Sequence, residues 1–139
     1  MRRVGSVVAA LFVAFVVVVL IEGVASVIWP PPAGLDLSEQ ANVEAWFAAT
    51  PVKAQLMVVL AYLCASGAGA FTAARVARDG ELASPLSFSG VFGLVTIINL
   101  VSLPHATWMV VASMIALGVG CGLGTMFGIQ TPERGTRVG

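Results

Sequence analysis

Residues 4–29 read VGSVVAALFVAFVVVVLIEGVASVIW, an apolar run broken by a single charge, Glu22. A helix rises ~1.5 Å per residue, so a run of this length outreaches the ~30 Å hydrocarbon core of a bilayer. Lipid offers backbone N–H and C=O groups no partner, so such a run must satisfy its own as an α-helix. Three more apolar runs follow, at about 52–74, 86–103 and 107–127. Each is near or above the ~18 residues that a crossing needs. The third is the shortest and would cross with little tilt.

Composition points the same way. Of 139 residues, 58% are hydrophobic and 10% charged, and mean hydropathy is +0.97. A soluble domain carries roughly 45–50% apolar and about 25% charged residues. The charges here are too few to cover a water-facing surface. That excludes a soluble enzyme, a disordered tail and a nucleic-acid binder. Seven basic and seven acidic residues cancel, which argues against an electrostatic role toward DNA, RNA or acidic lipid. The expected fold is all-α: a four-helix transmembrane bundle forming a single integral membrane domain over residues 1–139.

The first run has features of a signal peptide, with Arg2 and Arg3 ahead of it and Gly23, Ala25 and Ser26 near its end. Its apolar part is longer than a typical signal's, so a retained span is expected. Arg2, Arg3, Arg75, Arg78, Arg134 and Arg137 all fall on one side of the four runs, and Lys53 alone on the other. By the positive-inside rule both termini are expected in the cytoplasm of a bacterial inner membrane.

The outer loop, 30–51, is the only long one. Pro30, Pro31 and Pro32 favour an extended entry, and Gly34 allows a turn. Asp36 and Glu39 have capping-box spacing for a short helix. Val43, Trp46 and Phe47 share one face of it, with Glu39, Gln40 and part of Glu44 opposite. This predicts an amphipathic helix in the outer interface. Thr50 and Pro51 then open the second span. The inner loop, 75–85, holds an Asp79-Gly80 turn signal. Pro104-His105 centres a tight outer turn, and the tail 129–139 has no apolar period and is expected to be mobile.

Inside lipid, helices associate by close packing of small side chains. The second run carries Ala65, Gly69 and Ala73 at spacing four, beside Ser66, Ala70 and Ala74. The fourth carries Ala116, Gly120, Gly124 and Gly128, with Gly118 and Gly122 adjacent, and the third offers Ser89 and Gly93. Gly69, Gly120 and Gly124 are the candidate packing positions. They serve either this bundle or, for the fourth run, a contact with another chain. Cys64 and Cys121 lie within apolar runs and not in a CxxC pair, so they are expected to be buried packing residues rather than a disulfide or redox pair.

Glu22 is the residue most open to a functional reading. It lies seven positions before Trp29, about 10 Å in from that end of the helix. A carboxylate at that depth costs a few kcal/mol, on the order of 3, and belongs on the bundle's inner side. Asn99, flanked by Thr96 and Ser102, together with Gln55 and His105, falls at a similar level. Glu22, Asn99, His105 and Gln55 form the candidate polar site, with a Glu22–Asn99 or Glu22–His105 hydrogen bond as its concrete expectation. The bland alternative is interhelical hydrogen bonding, often worth only ~0.6 kcal/mol a bond. His105, at a turn between helices, suits backbone capping better than metal binding. No catalytic residue, metal-ligand spacing or cofactor-binding motif stands out, and Gly118 to Gly124 is an apolar span without a following Lys rather than a phosphate loop. Trp29, Trp46 and Trp108 read as an aromatic belt.

Glu22 near the end of span one, the triple proline with Gly34 and Asp36, Ala73-Ala74-Arg75, and Asn99-Leu100 leading to Pro104-His105 and Trp108 together form a pattern. It resembles small bacterial four-span membrane proteins of uncharacterised function, over about residues 21–128. The resemblance implies the four-helix topology and brings no activity, cofactor or catalytic residue with it. Three functions remain in view. The first is a non-enzymatic accessory or interaction subunit, with membrane lipid and other membrane subunits or its own copies as partners and no nucleic acid. The second is a small oligomeric transporter or channel using the Glu/Asn/His cluster. The third is an intramembrane enzyme acting on a lipid or quinone, with Glu22 and His105 as acid and base.

Overall fold

The computed structural model describes residues 2–36, 38–77 and 82–129. These residues form five helices: α1 (Arg2–Ile28), α2 (Gln40–Ala49), α3 (Val52–Ala77), α4 (Ala83–Ser102) and α5 (Thr107–Gly128). All but α2 are long and apolar enough to span a bilayer. The chain is an all-α, multi-pass membrane protein built as a four-helix bundle. Arg78 to Glu81, with the expected Asp79-Gly80 turn, and the tail from Gln130 onward lie outside the described residues.

Two spans run past their expected ends. α3 continues to Ala77, because Arg75 and Val76 need no burial to stay helical at the membrane edge. α4 begins at Ala83 and takes Pro85 into its first turn. The N–H that proline lacks has no intrahelical acceptor at that position, so the helix loses no bond.

α3 is the hub. It packs most extensively against α5 and α1, and α4 leans on α3 and α1 and only lightly on α5. Tyr62, Ala65, Ser66, Gly69, Ala70, Ala73, Ala74 and Ala77 are all buried along α3. The gaps alternate between three and one, so buried residues recur at i+3 and i+4, the signature of one helix face. α5 meets this face in parallel. A Cβ on Gly120 would strike Ser66 Oγ and the Leu63 carbonyl, one on Gly124 the Gly67 carbonyl, and one on Gly128 Ala74 Cβ. Both helices advance together, so glycine at every fourth position keeps the backbones in contact through two turns. Gly69 answers a different neighbour: the Phe88 ring of α4 occupies the place of its missing side chain. Gly69, Gly120 and Gly124 are thus used inside the chain. The face of α5 that Gly120 and Gly124 define is taken by α3 and is not free for another molecule.

The core is built of small residues around two rings. Phe88 and Phe92 stack with centroids 5.4 Å apart, among Ala10, Ala14, Ala65, Ala70, Ala73, Leu100 and Leu117. Three hydroxyls within the spans bond to their own helix: Ser66 donates to the Leu63 carbonyl at 3.0 Å, Thr72 to Ala68 at 2.7 Å and Ser89 to Pro85 at 2.8 Å. Ser84 Oγ and Ser113 Oγ are buried without a partner. Cys121 is buried as expected, but Cys64 is exposed. Its position falls between the buried pairs of α3 and turns it outward.

The outer loop folds around a tight turn. Leu35 N–H donates to the Pro32 carbonyl at 3.2 Å, with Gly34 at φ 81°, where a side chain would be strained. The capping box is not formed. Asp36 instead accepts from the backbone N–H of Ser38 at 2.9 Å and from its hydroxyl at 2.7 Å. Two donors two residues ahead are nearer than the amides of a helix that starts only at Gln40. Glu39 takes the N-cap position and makes no side-chain cap bond.

A candidate ligand cavity at the outer end

α1 buries only Ser6, Ala10 and Ala14, all in its inner half. Its outer half does not pack flush on α3, and a cavity of about 220 Å³ fills the gap. Glu22, Ala25 and Ser26 of α1, with Trp29 just past its end, line one wall, and Ala54, Gln55, Val58 and Tyr62 of α3 another. Asn99 and Leu103 border it from α4, and His105 and Met109 from the turn and the start of α5. All four predicted polar residues, Glu22, Gln55, Asn99 and His105, therefore meet around one space.

Trp46 and Phe47 of α2 complete the lining from above. Phe47 sets its ring edge to face against His105, centroids 5.1 Å apart at 76°, and Trp46 packs on Phe47 at 5.4 Å and 64°. Asn42, Val43, Trp46 and Phe47 are the half-buried face of α2, while Glu44, Ala45 and Ala48 are exposed. The expected amphipathicity is weak, since alanines make up most of the exposed side; Val43, Trp46 and Phe47 face the bundle and roof it. The Cα atoms of α2 stay more than 8 Å from those of every other helix, so side chains alone hold it there. Trp29 and Trp46 thus line a chamber, which the belt reading of the tryptophans did not anticipate. Only Trp108 turns outward, 42% exposed.

The hydrogen bonds differ from the expectation. Neither Asn99 nor His105 bonds to Glu22. The Tyr62 hydroxyl donates to Asn99 Oδ1 at 3.3 Å, joining α3 to α4. His105 Nδ1 lies 3.2 Å from the Leu103 carbonyl and 3.4 Å from that of Leu100, so its proton sits there and caps the end of α4. Gln55 Nε2 donates to the Thr50 carbonyl at 3.1 Å. Its Oε1 is buried without a partner. The reason is reach. Asn99 and His105 are held by nearer groups, and Glu22 stands across the open space from them.

Tyr62 is the residue that sequence reading missed. It is the only tyrosine in the chain. It shares the small-residue stripe of α3, three positions before Ala65, which marks it as inward-facing. Among the described residues, no three His, Cys, Asp or Glu side chains gather where they could hold a metal ion. The chamber can admit a small molecule, bury its apolar part against Val58, Leu103 and Met109, and meet its polar part with Glu22. No family model, curated protein or solved structure matches this chain, so the chamber itself is what bears on function.

Proposed function

We propose that this protein is a non-enzymatic accessory subunit of a membrane assembly or homo-oligomer, and that it works by binding a small ligand at its outer end. It sits in a bacterial inner membrane with both termini cytoplasmic, like the small four-span proteins it resembles. The observation that supports the reading is the cavity of about 220 Å³ that Glu22, Gln55, Tyr62, Asn99 and His105 line. Below Tyr62 the bundle is filled by Ala14, Ala65, Ala70, Phe88 and Phe92. A chamber with a packed floor suits holding a ligand. Native mass measurement after extraction in mild detergent tests the assembly. Recovery with further copies or with another membrane protein supports it. A strictly monomeric particle with nothing co-purifying counts against it.

A second reading, a small oligomeric transporter or channel, draws on Glu22 alone. An acid at that depth, facing a chamber open to the outer side, suits a proton or cation step in a pathway that several copies would have to complete. Flux into liposomes that depends on pH and disappears in Glu22→Gln supports this reading. Absence of flux for protons, Na⁺ and K⁺ counts against it.

A further inference from the structure

We infer that the outer cavity is built for a compact organic ammonium, an aromatic or alkyl body carrying one protonated amine. The inference rests on the cavity being a ligand site and adds the class of ligand.

Charge comes first. Glu22 is the one carboxylate in the lining, and no Lys or Arg lines the cavity. A carboxylate held among apolar helices without a counter-charge is costly, and a cationic ligand supplies that counter-charge. An anion would face Glu22 with no basic group to offset it.

Hydrogen-bonding capacity points the same way. Four of the protein donors around the space are already engaged. The Tyr62 hydroxyl is given to Asn99, Gln55 Nε2 to Thr50, the Thr50 hydroxyl to the Trp46 carbonyl at 2.8 Å, and the Ser26 hydroxyl to the Glu22 backbone carbonyl at 2.8 Å. His105 turns Nδ1 to the carbonyls that end α4. The acceptor left over in the lining is the Glu22 carboxylate; the unpartnered Gln55 Oε1 lies beneath the surface of the space. The donors that remain, the Asn99 amide and the indole N–H groups of Trp29 and Trp46, carry no formal charge. An ammonium brings N–H donors and a charge to a carboxylate that these groups do not neutralise.

The walls fit the rest of such a molecule. Trp29, Trp46 and Phe47 are among the lining residues, and aromatic rings attract cations. Size sets the upper limit. A cavity of roughly 150 Å³ accepts benzene, so 220 Å³ suits a single ring with a two-carbon amine tail.

The test uses the full chain in lipid nanodiscs, with empty nanodiscs as the partition control. Three probes of nearly one shape are titrated at neutral pH, read by calorimetry and tryptophan emission: phenethylammonium, 2-phenylethanol and phenylacetate. The ammonium is expected to bind at least about tenfold tighter than the alcohol, and phenylacetate weakest. Glu22→Gln is expected to bring the ammonium down to the alcohol's affinity and leave the alcohol within about twofold, which also shows that the variant is folded. Equal affinity for ammonium and alcohol, tighter binding of phenylacetate, or a preference untouched in Glu22→Gln overturns the ammonium assignment and leaves the cavity a ligand site. Failure of all three probes to bind overturns the ligand site itself.

Discussion

The Tyr62 hydroxyl donates to Asn99 Oδ1 at 3.3 Å, and this contact links the hub helix α3 to α4 at the level where the bundle opens. Above it lies the cavity, and below it the packed floor. The bond is long, and interhelical bonds in lipid are modest, so Tyr62→Phe is expected to lower stability by only about 0.6 kcal/mol. Its stronger effect is on the site, where it frees Asn99 Oδ1 as a further acceptor. Chemical unfolding in mild detergent reads the first effect and probe titration the second. A loss above about 2 kcal/mol would mean that the ring, rather than the hydroxyl, had been displaced.

One aromatic contact ties the roof to the turn before α5. Phe47 on His105 is worth roughly 0.5–1.5 kcal/mol beyond its area, and α2 has no backbone contact with the bundle to fall back on. Phe47→Ala is expected to raise amide exchange across residues 40–49 by about 2- to 10-fold, with the four long helices unchanged. Unaltered exchange in α2 would show that Trp46 and Val43 suffice to hold it.

The parts of this architecture legible in the sequence are those that one helix decides for itself. Four apolar runs dictate four spans, and periodic small residues dictate which face of α3 turns inward. The helix ends were less legible because membrane-edge turns tolerate Arg75 and Pro85. Glu22, Gln55, Asn99 and His105 were recognisable as polar groups at one depth, but their hydrogen bonds were not. Which pairs form depends on how far the outer half of α1 stands from α3, and no local pattern encodes that distance. Tyr62 was hidden because an aromatic within an alanine stripe reads as packing. Trp29 and Trp46 were read as a belt because a boundary tryptophan satisfies that role equally well. Only the fold-back of α2 distinguishes the two.

Asp36 gives a pH-dependent readout outside the membrane. The hydroxyl and backbone N–H of Ser38 both stabilise its charged form and hold its pKa below the ordinary 3.8. A group whose folded pKa is depressed contributes stability above its unfolded pKa and loses it as pH falls through the folded value. The Ser38 turn is therefore expected to persist at neutral and mildly acidic pH and to release only below 3.8. The Ser38 amide resonance, followed through an acid titration, should shift with a midpoint under that value. A midpoint at or above it would show that the turn does not favour the carboxylate.

The contact between α3 and α5 makes the sharpest demand on the sequence. Gly120 and Gly124 sit where any Cβ meets backbone carbonyls of α3, while Gly118 and Gly122, on the other side of the same helix, have nothing within 4 Å of that position. A backbone carbonyl cannot rotate aside as a side chain can, so relief requires the helices to separate. Gly120→Ala and Gly124→Ala are each expected to destabilise by about 1–3 kcal/mol. Gly118→Ala and Gly122→Ala should be neutral or slightly stabilising, by up to about 1 kcal/mol, because alanine is the better helix former. Chemical unfolding of the four variants side by side in one detergent separates these cases. The contrast isolates geometry, since all four changes add the same methyl group to the same helix. Equal effects at all four positions would mean that α5 does not present this face to α3. A loss confined to Gly118 and Gly122 would mean that the helix is turned by half a revolution, with the stripe facing lipid or another chain.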